Sequence, residues 1–249
     1  ISVYLQEYLS TKPVAKKLES LFEQAPAGSE RTIEISQINS VAFRHVCFGY
    51  EGASPILNDF SLKVNTGEKC IITGQSGSGK STSMNLLLGY YEPRSGEILI
   101  NDSNAFCVKQ LNEKIAIMRQ DPVLFNDTLR NNLTMYRDMC DDELIALLQK
   151  LNLHKFATPE GLDSMIREGG SNLSGGERKR IALARTLLRK APITIIDEPL
   201  ANVDSETAEK IEDILTELSG GIVFVITHHF SDDKKKAFAK EFRFILLSI

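Results

Sequence analysis

The chain has 249 residues and a net charge of -4, with 42% hydrophobic and 25% charged residues. This composition is that of a globular protein and excludes disorder, collagen and a continuous coiled coil. The mild acidity argues against duplex DNA as the main partner, because DNA-binding proteins usually carry a basic surface. No apolar run in the sequence approaches the ~18 residues that a membrane helix needs.

The cysteines and the first residues indicate the compartment. Cys47, Cys70, Cys107 and Cys140 lack the CxxC spacing of a zinc or redox site. We interpret them as separate reduced thiols of a cytosolic domain. The N-terminal segment has no apolar core of a signal peptide, and a start at Ile1 favours a piece of a larger parent.

The N-terminal residues form the first predicted unit. In residues 1–24 apolar side chains recur at helical spacing, and Pro13 suits a first helical turn. The segment Ala25–Ser29 is typical of a linker. We predict linker helices over residues 1–31 and a compact domain over residues 32–249.

Strand and helix patterns then alternate along the chain, which implies an α/β fold with a largely parallel sheet and crossover helices. Residues from about 121 to 188 carry helical patterns without a strong strand, which predicts an inserted helical subdomain. The predicted strands are Thr32–Ile35, Val41–Phe48, Cys70–Gly74, Glu97–Asn101, Ile193–Asp197 and Gly221–Thr227. The predicted helices are Lys80–Gly89, Asp141–Leu151 and the stretch that contains Ile211, Ile214, Leu215 and Leu218.

A glycine-rich loop, GQSGSGKS, lies between a predicted strand and a predicted helix and matches GxxxxGK[ST]. The alternative is a glycine turn before a helix. In the functional interpretation, backbone N–H groups surround a β-phosphate, an exposed Lys80 reaches the β- and γ-oxygens, and Ser81 ligates Mg²⁺. The loop predicts a site for a nucleoside triphosphate with magnesium, formed by Gly74, Gln75, Ser76, Gly77, Ser78, Gly79, Lys80 and Ser81.

Two carboxylates follow the apolar strand Ile193–Asp197, at the strand end where open α/β sheets bind ligands. Asp197 fits a magnesium ligand. Glu198 is then free to polarise an attacking water, because an apolar wall and nearby phosphates raise the pKa of such a carboxyl. The alternative is a strand end with two solvated acids.

The motif LSGGE permits two interpretations at once. Ser174 and Glu177 have the spacing of a capping box for the amphipathic helix that follows. A glycine-rich helix N-terminus is also an anion site. Since the phosphate loop already binds one triphosphate, we expect this second anion site to face the nucleotide of a partner.

With these motifs in this order, the sequence resembles the ATP-binding-cassette (ABC) family over residues from about 40 to 230. The resemblance implies a P-loop NTPase (RecA-like) core with a mainly parallel sheet, an N-terminal antiparallel β-subdomain and an inserted α-helical signature subdomain. It implies ATP and Mg²⁺ as ligands and adds Thr82 to the contacts of the phosphate loop. The signature contacts to the partner's nucleotide would come from Ser174, Gly175, Gly176 and Glu177.

The resemblance also assigns roles to isolated residues. Tyr50 matches the aromatic residue that stacks on adenine, although alone it would be read as a core aromatic. Gln120 matches the glutamine that links magnesium and the attacking water to the transmembrane partner. Asp204, in ANVD where the family more often has SALD, holds the D-loop position. His228 matches the switch histidine that contacts the γ-phosphate, with His229 as a shifted alternative.

Three features resemble the exporter branch of the family: Glu168–Gly170, Phe125–Leu133 and the N-terminal helical segment, which is similar to the end of a fused transmembrane domain. The resemblance implies an ATPase on the cytoplasmic face of a membrane that closes head-to-tail with a second cassette. Its transmembrane domain would be fused upstream or separate, and no nucleic acid partner is expected. After His228 the family's closing elements are shortened, and the ending FRFILLSI favours a truncated C-terminus.

Two other functions stay open from the sequence: a soluble ABC-type ATPase acting on DNA or ribosomes, and a regulatory cassette with low turnover. The first usually has long coiled coils or tandem cassettes, which this chain lacks. The second conflicts with the presence of Lys80, Asp197, Glu198 and His228 together. Both half-sites look competent, which permits a homodimer and does not demand one, and the resemblance implies that cargo specificity belongs to membrane helices outside this sequence.

Overall fold

A computed structural model describes residues 34–52, 54–105 and 111–244 of the chain. The predicted linker helices lie outside the described residues, as does Cys107. The other three cysteines are free thiols, as predicted. No helix in the described part of the chain combines the length and the apolar character that crossing a membrane requires.

The first sheet is antiparallel throughout and has the strand order β2-β1-β4-β5. Its strands are β1 (Ser40–Phe48), β2 (Leu57–Asn65), β4 (Ser95–Ile100) and β5 (Ser103–Asn104). Apolar side chains on its inner face are buried in one core with the helix that follows the phosphate loop. The prediction of an N-terminal antiparallel β-subdomain is confirmed.

The second sheet is parallel and has the order β11-β3-β10-β9-β6. Because both of its faces are covered, its central strands are almost continuously apolar. It contains β3 (Lys69–Gly74), β6 (Ile115–Met118), β9 (Ile193–Asp197), β10 (Ile222–Ile226) and β11 (Lys240–Phe244). The predicted α/β fold is confirmed, and the carboxyl ends of β3, β9 and β10 meet at one edge, where such sheets bind ligands.

Helices connect the strands and cover the parallel sheet. Four of them are α1 (Lys80–Leu87), α5 (Gly175–Leu188), α6 (Ser205–Glu217) and α7 (Asp232–Lys235). The helices α1, α5 and α6 each begin directly at a loop that carries a sequence motif: the phosphate loop, the signature LSGGE and the segment ANVD. These motifs therefore lie at helix N-termini. Residues 245–249, which follow β11, lie outside the described part of the chain.

The stretch predicted as a helical subdomain contains three short helices before α5. They are α2 (Leu129–Thr134), α3 (Asp141–Lys150) and α4 (Pro159–Leu162). Their buried leucines share a core with α5 and with one face of the parallel sheet. A two-residue strand pair, β7 (Asp127–Thr128) with β8 (Met165–Ile166), closes this stretch and was not predicted from the sequence.

The predicted strand Thr32–Ile35 is wrong for its described part, because Glu34 and Ile35 lie in no strand. The side chain of Asn101 binds the backbone that follows this point and leads into β1. Its Oδ1 accepts from the backbone N–H groups of Asn39 and Ser40, at 2.6 and 3.0 Å, and its Nδ2 donates to the carbonyl of Gln37 at 2.7 Å.

Candidate functional site

The carboxyl edge of the parallel sheet holds a cavity of about 230 Å³. Residues from the connection between β1 and β2, from the phosphate loop and α1, and from the ends of β6, β9 and β10 all reach it. The fold therefore brings together motifs that are far apart in the sequence. The cavity is lined by Tyr50, Ile56, Ser76, Gly77, Gly79, Lys80, Ser81, Thr82, Gln120, Asp197, Glu198 and His228.

The glycines of the phosphate loop are required by the backbone. Gly74 has a φ of 145°, and a Cβ there would come within 2.6 Å of the Phe244 carbonyl oxygen. Gly79 has a φ of 105°, and its Cβ would lie 2.7 Å from Cδ2 of Leu57. An L-residue would be strained at both places, and the crowding would displace the loop.

Lys80 is buried, with 6% of its surface exposed, so the prediction that it is an exposed lysine is wrong. Its ammonium group folds back over the loop and donates to the carbonyl oxygens of Gly74 and Gln75, both at 2.9 Å. Burial lowers the pKa of Lys80, while the nearby carboxylates of Glu198 and Asp197 act in the opposite direction. The loop thus holds a cation next to two acids.

Asp197 faces the phosphate loop. Its Oδ2 accepts from the Ser81 hydroxyl at 3.0 Å, while its buried Oδ1 has no hydrogen-bond partner among the described residues. Burial raises the pKa of Asp197, and Ser81, Lys80 and more distant cations counteract this. A hydroxyl and a carboxylate with an unused oxygen fit the all-oxygen preference of Mg²⁺.

Glu198 lies at the junction of β9 and the next loop in an unusual conformation. Its φ is 52°, a left-handed value that is rare and costly outside glycine and is concentrated at functional sites. Its backbone N–H donates to the carbonyl of Ile226 at 2.9 Å, which fixes it beside β10. Within the part of the chain that the structure describes, its buried Oε1 has no hydrogen-bond partner.

His228 is the nearest basic group to that oxygen. Its Nε2 lies 3.2 Å from Oε1 of Glu198, at ion-pair distance but without the angles of a hydrogen bond. Burial raises the pKa of Glu198, the charge of Asp197 acts in the same direction, and His228 opposes both. His229 is not among the described residues that line the cavity, so the geometry favours His228 over the shifted alternative.

We expect Asp197→Asn to raise the melting temperature of the nucleotide-free chain at pH 7.5. Because burial raises the pKa of Asp197, its charged form costs stability above that pKa, and the cost disappears as pH falls through it toward the unfolded value of about 3.9. The melting temperatures of variant and wild type should therefore approach each other as pH is lowered from 7.5 toward the unfolded pKa of about 3.9.

Calorimetric melts at several pH values test this prediction. The control is Asp233→Asn, which makes the same change in charge at a side chain that is 95% exposed. It should shift the melting temperature little at any pH. A gap between Asp197→Asn and wild type that widens on acidification would contradict the expected cost of burying this carboxylate.

Three further predicted residues reach the same cavity. The hydroxyl of Tyr50 lies 3.4 Å from Oγ1 of Thr82, and the residue is 36% exposed. Gln120 follows β6 and is exposed at the cavity. Ile56 also lines it and was missed, because an isolated isoleucine before a strand carries no sequence signal for a ligand.

The signature residues lie outside this cavity. Ser174 caps α5: its Oγ accepts from the Glu177 N–H at 3.1 Å, and Oε2 of Glu177 accepts from the Ser174 N–H at 2.8 Å. This is the predicted capping box. Lys155 contacts the other Glu177 oxygen at 2.6 Å. None of the residues 173–177 is among the described residues that line the cavity.

Asp204 lies near the signature and also caps a helix. Its Oδ1 accepts from the backbone N–H of Thr207 at 2.9 Å at the start of α6, and this bond lowers the pKa of Asp204. A Cβ at Gly176 would lie 3.2 Å from the carbonyl oxygen of Asn202, so the two loops pack together. The structure therefore places most of the predicted residues at the cavity and the signature residues with Asp204 outside it. Gly74, Gln75 and Ser78 of the phosphate loop are not among the described residues that line the cavity.

Comparison with known proteins identifies the family of the chain. The model of the ABC transporter family matches residues 57–201. The chain is 35% identical over 226 residues to the ATP-dependent lipid A-core flippase of Syntrophus aciditrophicus, covering 87% of this chain and 37% of the flippase. It is 34% identical over 235 residues to the glutathione/L-cysteine transport system ATP-binding/permease protein CydD of Bacillus subtilis. The match covers 92% of this chain and 39% of CydD.

A solved structure of a bacterial Atm1-family ABC exporter with ATP bound has the same fold. It superposes with a TM-score of 0.76 at 29% sequence identity, covering 96% of this chain and 44% of the exporter chain. The chain thus spans less than half the length of each of these relatives. Because the family model matches residues 57–201, the chain belongs to the ABC transporter family.

Proposed function

We propose that this chain binds and hydrolyses ATP and drives an exporter in a membrane. The observation that carries the proposal is the convergence of the phosphate loop, a buried lysine and two carboxylates in one cavity. Each of the carboxylates of Asp197 and Glu198 has a buried oxygen without a hydrogen-bond partner among the described residues. Buried oxygens of this kind are costly unless a ligand completes the site.

Ser81 and Asp197 would hold Mg²⁺, with Gln120 as the third candidate ligand. When bound, the ion neutralises charge on the β- and γ-phosphates. The ammonium of Lys80, now bound to the carbonyls of Gly74 and Gln75, exchanges these neutral acceptors for phosphate oxygens. Charge-assisted hydrogen bonds are about twice as strong as neutral ones, which favours the exchange.

Glu198 is the proposed general base. Its raised pKa follows first from burial, and a base with a pKa nearer to the working pH removes a proton from water more effectively. Oε1 is the oxygen available for this, because it lacks a hydrogen-bond partner among the described residues. His228, 3.2 Å away, would orient the carboxylate and contact the terminal phosphate.

We propose that a second cassette completes the site of each chain head-to-tail. None of the signature residues 173–177 is among the described residues that line the cavity with the phosphate loop. The signature at the N-terminus of α5 is a separate anion site. In a head-to-tail dimer Ser174 of each chain faces the γ-phosphate bound by the other.

We expect Ser174→Arg to abolish hydrolysis while leaving ATP binding by a single chain nearly unchanged. A cation at the N-terminus of α5 opposes the helix dipole and fills the space for the partner's γ-phosphate. Phosphate release and equilibrium binding of ATP are measured on the same preparation. Ser174→Thr, which keeps a capping hydroxyl, is the control; hydrolysis by Ser174→Arg at the wild-type rate would contradict the head-to-tail arrangement.

The proposed transmembrane partner docks on an exposed apolar patch formed by Val123, Phe125 and Met135, the last of which lines a surface cavity together with Arg185. Their exposed fractions are 67%, 47% and 43%. Arg185 joins them: it donates to the Val123 carbonyl at 2.9 Å and lies 5.3 Å from the centre of the Phe125 ring. A clustered apolar patch on a charged surface is typical of an interaction site, and the relatives named above are transport proteins.

We expect Val123→Asp to prevent association with the transmembrane domain without affecting ATP hydrolysis by the chain alone. The side chain is 67% exposed, so a carboxylate there costs the fold little and would be desolvated only on docking. Co-purification of this chain with its transmembrane domain, expressed separately, measures the effect. Asp121→Asn, an exposed change nearby, serves as the control. Unchanged co-purification of Val123→Asp would contradict the assignment of the patch.

A further inference from the structure

Three aromatic rings meet beside the cavity. Phe48, Tyr50 and Tyr91 contact one another in pairs, with centroid distances of 5.2 Å for Phe48–Tyr50, 5.5 Å for Phe48–Tyr91 and 5.3 Å for Tyr50–Tyr91. The rings of Tyr50 and Tyr91 are inclined by 82°, in the edge-to-face geometry that aromatic pairs prefer. Tyr91 keeps 42% of its surface exposed, so it contributes much less to the core than the buried Phe48.

The chain segment that starts with α1 contacts Tyr50 at three places. Thr82, in the first turn of α1, lies 3.4 Å from the Tyr50 hydroxyl. Tyr91, just beyond the end of α1, contacts the ring. Arg94 donates to the Tyr50 carbonyl at 3.1 Å, and its backbone N–H donates to the carbonyl of Cys47 at 2.8 Å. The same segment carries Lys80, so it connects Tyr50 to the phosphate loop.

We propose that Tyr91 is a positioning residue that fixes the Tyr50 ring relative to the phosphate loop. The inference rests on the proposed binding of ATP and on the predicted stacking of adenine on Tyr50. A partly exposed tyrosine loses rotamer freedom when a base stacks on it, and a neighbour that has already restricted the ring reduces this cost. Tyr91 is not among the described residues that line the cavity, so its effect on the base is exerted through Tyr50.

The test compares Tyr91→Ala with Tyr91→Phe and with the matched control Tyr90→Ala. The Tyr90 ring packs 5.2 Å from the guanidinium of Arg119. Calorimetric titration measures affinity for Mg-ATP and for magnesium tripolyphosphate, which has no base. Tyr91→Ala should weaken ATP binding by about 3- to 10-fold, the value of one aromatic pair, and leave tripolyphosphate binding unchanged. Tyr91→Phe, which keeps the ring, and Tyr90→Ala should resemble the wild type.

A double-mutant cycle separates positioning from general stability. If Tyr91 acts through Tyr50, then adding Tyr91→Ala to Tyr50→Ala should cause no further loss of ATP affinity. Additive losses, an equal loss of tripolyphosphate binding, or unchanged ATP binding by Tyr91→Ala would overturn the inference while the proposed function stands. A wild-type chain that binds neither ligand, or a Tyr50→Ala chain with undiminished ATP affinity, would overturn the base-stacking premise and the inference with it.

Discussion

Glu198→Gln should lower the rate of ATP hydrolysis by about 10²–10⁴ while ATP binding is preserved, because loss of a general base typically costs that much. The change keeps the size of the side chain and its contact with His228. The groups proposed to bind Mg-ATP, Lys80, Ser81 and Asp197, are untouched. Single-turnover phosphate release and equilibrium binding give the two quantities separately.

The same variant should accumulate as an ATP-dependent dimer. If ATP joins two cassettes and hydrolysis separates them, a ligand that binds the closed state and is not consumed shifts the population toward that state. Gel filtration with and without Mg-ATP shows the shift. Glu212→Gln is a matched control, because Glu212 is also buried but lies away from the cavity. Its Oε1 accepts a hydrogen bond from the backbone N–H of Ser231 at 2.9 Å. A Glu198→Gln chain that turns over ATP within a few-fold of wild type would remove Glu198 from the role of base.

Lys80→Ala should weaken ATP binding by about 30-fold or more, because truncating one partner of a buried charged pair costs about 2–5 kcal/mol. Because Lys80 is buried, its replacement also changes the stability of the nucleotide-free protein. The variant loses two hydrogen bonds to carbonyls but also removes a buried ammonium group, and these changes oppose each other. We therefore expect a small change in melting temperature alongside the large change in affinity.

Lys69→Met is the control for Lys80→Ala. Lys69 lies at the other end of β3 and donates to the carbonyls at the end of α6, including that of Leu218 at 3.2 Å. Its replacement should lower thermal stability without changing ATP affinity. If Lys80→Ala bound ATP as tightly as the wild type, the phosphate site would have been assigned to the wrong loop.

The parts of the site that the sequence predicts are those encoded locally. A phosphate loop needs its glycines and lysine consecutively, and the capping box of Ser174 and Glu177 lies within one turn of a helix. Strong apolar runs likewise predict β9 and β10. The predicted strand Thr32–Ile35 was wrong for its described part, and the backbone that follows it bonds to the side chain of Asn101, which is distant in the sequence.

The features that the sequence did not predict depend on long-range contacts. The strand β2 (Leu57–Asn65) alternates apolar and polar residues irregularly, and β6 (Ile115–Met118) has only four residues. The burial of Lys80 depends on two loop carbonyls that fold around it. The contact of Tyr91 with Tyr50 joins two segments through tertiary packing.

The dependence of ATP hydrolysis on protein concentration tests most directly whether two chains form each active site. If the signature of one chain completes the cavity of another, the rate per chain should rise with concentration and level off once the dimer predominates. Ser174→Arg chains should show no such rise. A wild-type rate per chain that stays constant from dilute to concentrated solution would contradict the shared site and indicate that a single chain hydrolyses ATP alone.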